Sequence, residues 1–235
     1  MHRSLGCARV PIGGTAAGYT VTLPDGRRVG VKEYGDKKGK PIFQFHGAGS
    51  SRYEAAALGG GEEEACSGVS ARLIALDRPG YGASDPQPKR TLLDYPLDVL
   101  AVADALGIDK FAVMGVSSGG CYAVACAYII PRSQQGRLTG VALVSSDGPH
   151  RAADTPALVQ SEGGAQLLLG YVPFIPALML KMIRRMLFTS PDSYLAGVNS
   201  SFGEADAATM AKVSTDVALR AGKDGLKQGV WSLVR

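Results

Sequence analysis

Short apolar runs alternate with longer amphipathic ones through the first two thirds of the chain. Residues 19–23 (YTVTL) and 27–35 (RRVGVKEYG) are β-rich runs on either side of a Pro-Asp-Gly turn signal, which predicts a hairpin. Residues 42–46 (IFQFH) read as a short buried strand that runs into Gly-Ala-Gly-Ser-Ser. The Ala- and Glu-rich stretch 52–66 predicts a helix, interrupted by Gly59-Gly60-Gly61. Residues 72–76 (RLIAL) form another buried-type strand, followed by the Gly/Pro loop DRPGYGASD.

In 91–108, Val99, Val102, Ala103 and Leu106 recur at helical spacing, with Pro96 in the first turns and Gly107 as a stop. A strand over 111–116 (FAVMGV), a helix over 119–130 and a sixth strand over 140–146 (GVALVSS) complete the series. Strands of this kind, apolar on both faces and separated by helices, belong to a mostly parallel, doubly wound sheet. The predicted class is therefore α/β, with about six strands.

After Pro149 the pattern changes. Leu-, Met- and Ala-rich amphipathic stretches predict an all-helical block, divided by breakers such as Thr189-Ser190-Pro191-Asp192-Ser193. The expected organisation is an α/β core over 1–150 and a helical cap or lid over 151–235.

Composition narrows the classes of function. With 235 residues, 46% hydrophobic and 20% charged, the chain can bury a core and does not have the profile of a disordered one. The net charge of +4 is spread rather than striped, which speaks against a nucleic-acid partner. The densest basic spot, KMIRR at 181–185, reads as a solvated helix face. Cys7, Cys66, Cys121 and Cys126 show no metal-ligand spacing and no disulfide framework. They point to a reducing compartment, hence a cytoplasmic location, with an organelle transit peptide as the other reading of the acid-free N-terminus. The apolar stretch 165–180 carries Pro173 and Pro176 and is shorter than the about 20 residues a bilayer span needs, so no membrane span is expected.

The chemistry concentrates at Gly115-Val116-Ser117-Ser118-Gly119. Between a strand and a helix, Gly-x-Ser-x-Gly makes a tight turn that strains its central residue and presents a hydroxyl at a helix N-terminus. Ser117 is thus the candidate nucleophile. His46-Gly47-Ala48-Gly49 offers backbone amides after an earlier strand. The amides of Ala48 and Ser118 are the candidate oxyanion donors, a type of contact worth about 10²–10³ in rate. His46, at the strand's end, reads as structural. Asp77 and Asp85 read as ties for their own loop, Cys121 and Cys126 as buried packing, Met179, Met182 and Met186 as core or pocket lining, and Trp231 as an anchor for the last cap helix.

HGAG, DRPGYGASD and GVSSGG, in this order and spacing, resemble the α/β-hydrolase superfamily, in its esterase-, peptidase- and epoxide-hydrolase-like branch. The resemblance covers about residues 20–150. It implies an acyl-enzyme route through Ser117, a small apolar ester, amide or lactone as substrate, and no cofactor or metal. It also implies that the helical block is the cap inserted after the sixth strand. In that family the acid usually follows a seventh strand and the base an eighth. The pattern here shows six strands and then the cap, so the chain is expected to stop before the last two core strands. Of three histidines, only His150 follows Ser117, and with Asp147 it forms the candidate acid and base just beyond the sixth strand.

Two rival readings accompany this one. The same fold could serve a non-catalytic ligand-binding or interaction protein. Alternatively, Gly-Ala-Gly-Ser-Ser-Arg at 47–52 imitates a dinucleotide-binding turn, with Asp77 as the ribose-binding acid, although Arg52 stands where the third glycine belongs.

Overall fold

The computed structural model describes residues 9–12, 17–58, 66, 68–146, 148, 178, 181–182, 185–186 and 189–190. Its centre is a seven-stranded sheet: β1 (Arg9–Pro11), β2 (Tyr19–Thr22), β3 (Arg28–Gly35), β4 (Lys40–Phe45), β5 (Ala71–Leu76), β6 (Phe111–Val116) and β7 (Leu138–Val144). The spatial order is β1-β2-β3-β5-β4-β6-β7. From β1 through β3 to β5 the pairing is antiparallel, and from β5 through β4 and β6 to β7 it is parallel.

The Pro-Asp-Gly turn forms as its residues predict. Gly26 takes φ +88° and the Leu23 amide donates to the Arg27 carbonyl, closing the β2–β3 hairpin. Two expectations about strands are corrected. β1 adds a seventh strand from the N-terminal stretch, too short for period-two patterning to show. And β7 is not buried on both faces: Val141, Leu143 and Val144 are all exposed, β7 being the edge strand among the described residues.

Among the described residues, three α-helices flank the sheet: α1 (Glu54–Leu58), α2 (Tyr95–Ala105) and α3 (Gly120–Ser133). Alternate strand residues feed two cores. Phe43, Phe45, Ile74, Leu76 and Phe111 meet Val99, Val102, Tyr122 and Cys126 of α2 and α3. Leu73, Ala75 and Tyr34 meet Tyr53, Ala55 and Ala56 at α1. The larger core is knit by edge-to-face ring pairs, Phe43–Phe111 at 4.9 Å and Phe45–Tyr95 at 5.1 Å. The helix expected over 52–66 is seen as α1; 59–65 lie outside the described residues. α3 runs past its predicted end at Ile130 and accommodates Pro131 in its last turn.

Residues 178, 181–182, 185–186 and 189 are helical. Lys181 and Arg185 are exposed, as a solvated face requires. Met182 and Met186 are exposed as well (59% and 44%), which corrects their assignment to core or pocket lining. Met179, Trp231, Pro173, Pro176, Cys7 and the remainder of the expected cap lie outside the described residues. Among the described residues, no helix is long and apolar enough to cross a membrane.

Candidate active site

β4 pairs with β5 on one side and β6 on the other, and Phe45 stands opposite Gly115. The segments leaving β4 and β6 therefore emerge side by side at the C-terminal edge of the sheet, where connections diverge and open α/β folds form crevices. HGAG follows β4 and Ser117 follows β6, so the pairing register alone brings them together.

Ser117 has φ +50°, a left-handed backbone rarely adopted by a non-glycine residue. It opens a 3-10 turn over Ser117–Gly119 that continues into α3, and it is exposed. Its glycine neighbours are there for space. A Cβ on Gly115 would lie 2.5 Å from the Gly119 carbonyl oxygen, and one on Gly119 would overlap the Phe45 carbonyl oxygen. Across the crevice, a Cβ on Gly47 would stand 3.2 Å from both the Ser117 Cβ and Glu54 Oε1. Among the described residues, neither the Ala48 nor the Ser118 amide has a hydrogen-bond acceptor.

His46 is 1% exposed and uses both ring nitrogens. Nδ1–H donates to the Gly47 carbonyl at 2.8 Å, and Nε2 accepts the Arg78 amide at 3.1 Å. Burial first, and then the nearby Arg78 charge, hold its pKa well below the ordinary 6.5. It is a neutral structural imidazole.

The two aspartates of DRPGYGASD reach beyond their own loop. Asp77 is fully buried; it accepts from the Ala83 amide at 2.8 Å, the Arg52 amide at 2.7 Å and Arg52 Nη1 at 2.6 Å. Burial raises its carboxyl above the usual range, and the Arg52 charge pulls against that rise. Shut off and fully bonded, it is not available to a ribose. Asp85 pairs with Arg28 of β3 at 2.8 Å, which holds its carboxyl below the ordinary value.

Cys126 is buried as expected. Cys121 is not: it is exposed at the start of α3, and its thiol donates to the Ser118 carbonyl at 3.0 Å. Asp147 and His150 lie outside the described residues.

Sequence reasoning missed two side chains here. Glu54, in the first turn of α1, accepts the Gly47 amide at 2.9 Å through Oε1 and Gln44 Nε2 through Oε2; burial raises its carboxyl pKa. Arg78, 3% exposed, donates from Nη2 to the Gly47 carbonyl at 2.9 Å and from Nη1 to Ser118 Oγ at 3.2 Å. The only signal for Arg78 was a charged residue placed directly after a buried strand and its aspartate.

Comparison with known proteins agrees with this architecture. A family model described as alpha/beta hydrolase fold matches residues 40–203. The chain is 31% identical over 133 residues to a non-heme chloroperoxidase of Streptomyces lividans, covering 55% of this chain and 45% of that protein. Among solved structures, an esterase from Thermogutta terrifontis is similar at 18% identity and TM-score 0.53, over 97% of this chain and 72% of that one. A naproxen esterase from Bacillus subtilis is 23% identical at TM-score 0.45, over 60% of this chain and 43% of its own. The chain thus spans less than half the length of the chloroperoxidase and of the naproxen esterase. With the sheet order, the strained serine and the family match in agreement, the chain belongs to the alpha/beta hydrolase fold family.

Proposed function

We propose that this chain is a serine hydrolase acting on a small apolar ester, amide or lactone through an acyl-enzyme at Ser117. The observation that carries the reading is Ser117 at φ +50° on the turn between β6 and α3, with Gly47 packed against it. The esterases of similar fold are consistent with that chemistry.

In the proposed reaction Ser117 Oγ attacks the carbonyl carbon of the substrate. The carbonyl π pair moves onto oxygen, where the amides of Ala48 and Ser118 receive it. The hydroxyl proton passes to a general base and then to the leaving alcohol or amine as the tetrahedral species collapses. Water hydrolyses the acyl-enzyme by the same steps in reverse. Asp147 and His150 are the acid and base candidates the sequence offers; if they are instead a polar turn leading into the cap, the usual acid and base are missing and the chain is inactive.

The test is labelling with a fluorophosphonate probe, together with turnover of short-chain p-nitrophenyl esters. Labelling that disappears in Ser117→Ala supports the reading. A wild-type chain that resists the probe, or labelling that persists in Ser117→Ala, overturns it in favour of the binding-protein alternative.

A further inference from the structure

Arg78 is held differently from the ion-paired arginines of the core. Arg27, Arg52 and Arg72 each meet a carboxylate at 2.6 Å. Arg78 has no carboxylate partner among the described residues. Its guanidinium rests on the faces of Tyr81 and Tyr122, at 4.8 and 5.0 Å from the ring centres, and on neutral oxygens. Its Nε–H is buried without an acceptor. Burying a cation without a direct ion pair is costly. The Glu54 carboxyl, its pKa raised by burial and pulled back by the Arg78 charge, is the nearby group that answers part of that cost.

What Arg78 touches gives the charge a purpose. The Gly47 carbonyl that accepts Nη2 belongs to the same peptide unit as the Ala48 N–H. In a trans peptide the carbonyl and the N–H point in opposite directions, so a group gripping the oxygen from behind aims the N–H away from itself. The same oxygen accepts His46 Nδ1–H, while the Gly47 N–H is held by Glu54. Both peptide units flanking Gly47 are therefore clamped. A cation on the carbonyl also polarises its peptide and strengthens the N–H as a donor. From its other fork, Nη1 reaches Ser118 Oγ, beside the second candidate donor.

We propose that Arg78 is the positioning residue of the oxyanion site. It holds the Gly47–Ala48 peptide by its carbonyl so that the Ala48 amide serves the substrate on Ser117, and its charge stands behind the oxygen that becomes negative. This inference rests on the Ser117 reading above.

Arg78→Met and Arg78→Lys in the full chain test it, through three measurements: the second-order rate of fluorophosphonate labelling, the Tm, and the 15N shift of the Ala48 amide. The expected result is labelling slowed roughly tenfold or more in Arg78→Met, less than loss of a direct donor, with partial recovery in Arg78→Lys. The Tm of Arg78→Met stays level or rises, because a buried charge with no direct ion pair among the described residues has been removed. The Ala48 resonance moves in Arg78→Met and returns toward its original position in Arg78→Lys. A lowered Tm with labelling unchanged, or an unmoved Ala48 resonance, overturns the proposal.

Should Arg78→Met not fold, Arg78→Lys decides alone: slower labelling at an unchanged Tm supports the role, and a wild-type rate refutes it. If the wild-type chain is not labelled at all, the Ser117 reading has failed, and the Ala48 shift still decides whether Arg78 holds that peptide.

Discussion

Arg52 Nη1 and Asp77 Oδ2 stand 2.6 Å apart with both side chains almost wholly excluded from solvent. The pair ties the segment before α1 to the loop after β5, and Asp77 continues the tie to the Ala83 amide. Removing one partner of a buried pair costs about 3–5 kcal/mol, and removing Asp77 also takes the acceptor from the Arg52 and Ala83 amides. Asp77→Ala should therefore lower stability by that order, read as a shift in the urea midpoint at constant m. A change below about 1 kcal/mol would mean that the pair contributes little.

The backbone at Ser117 is costly for any residue with a Cβ. Ordinarily alanine is more stable than glycine in a structured element by roughly 0.5–1 kcal/mol. At φ +50° the order should invert, with Ser117→Gly more stable than Ser117→Ala by about 1 kcal/mol. Paired thermal melts check the sign; alanine as the more stable variant would argue against a strained turn in solution.

Gly119 lies against the carbonyl carbon of Phe45 and the carbonyl oxygen of His46, where an added Cβ would sit 2.8 and 2.9 Å away. Gly119→Ala should cost about 1–3 kcal/mol as overpacking and should displace the turn that carries Ser117. Gly140 on β7, where a Cβ would meet only the Ala112 side chain at 3.8 Å, is the control. Gly140→Ala is expected to change stability by no more than about 0.5 kcal/mol.

His46 gives a pH signature. Its folded-state pKa lies well below 6.5, while the unfolded chain keeps the ordinary value. Below pH 6.5 the unfolded state binds a proton that the folded state refuses, so stability falls as the pH falls. This group contributes up to about 1.4 kcal/mol per pH unit, until the folded pKa is reached. His46→Asn removes this loss, so the stability of wild type minus variant should shrink between pH 7.5 and pH 5. A pH-independent difference would show that His46 titrates alike in both states.

Much of this site was legible in the chain because its determinants are local. Gly115 and Gly119 flank Ser117 at the one spacing that lets a strand turn into a helix over a serine, and Pro-Asp-Gly sets the β2–β3 hairpin. Apolar periodicity placed six of the seven strands and the α2 stripe, since burial selects those positions one by one. The three-residue β1 is too short to carry a period. The exposure of β7 depends on which strand becomes the edge, which no strand's own residues encode.

By itself, the sequence determined the series of strands and helices, the doubly wound α/β class and the strained serine turn, because each follows from side-chain period or from backbone freedom at a few glycines. Only the tertiary structure decided that His46 is a closed structural imidazole, that Asp77 is taken by Arg52, and that Arg78 grips the peptide beside the serine. Those outcomes rest on contacts between the segments that follow β4, β5 and β6, across 25 to 40 residues of chain. They are set by pairing register and by the cost of burying charge, and neither can be read from a residue's neighbours in sequence.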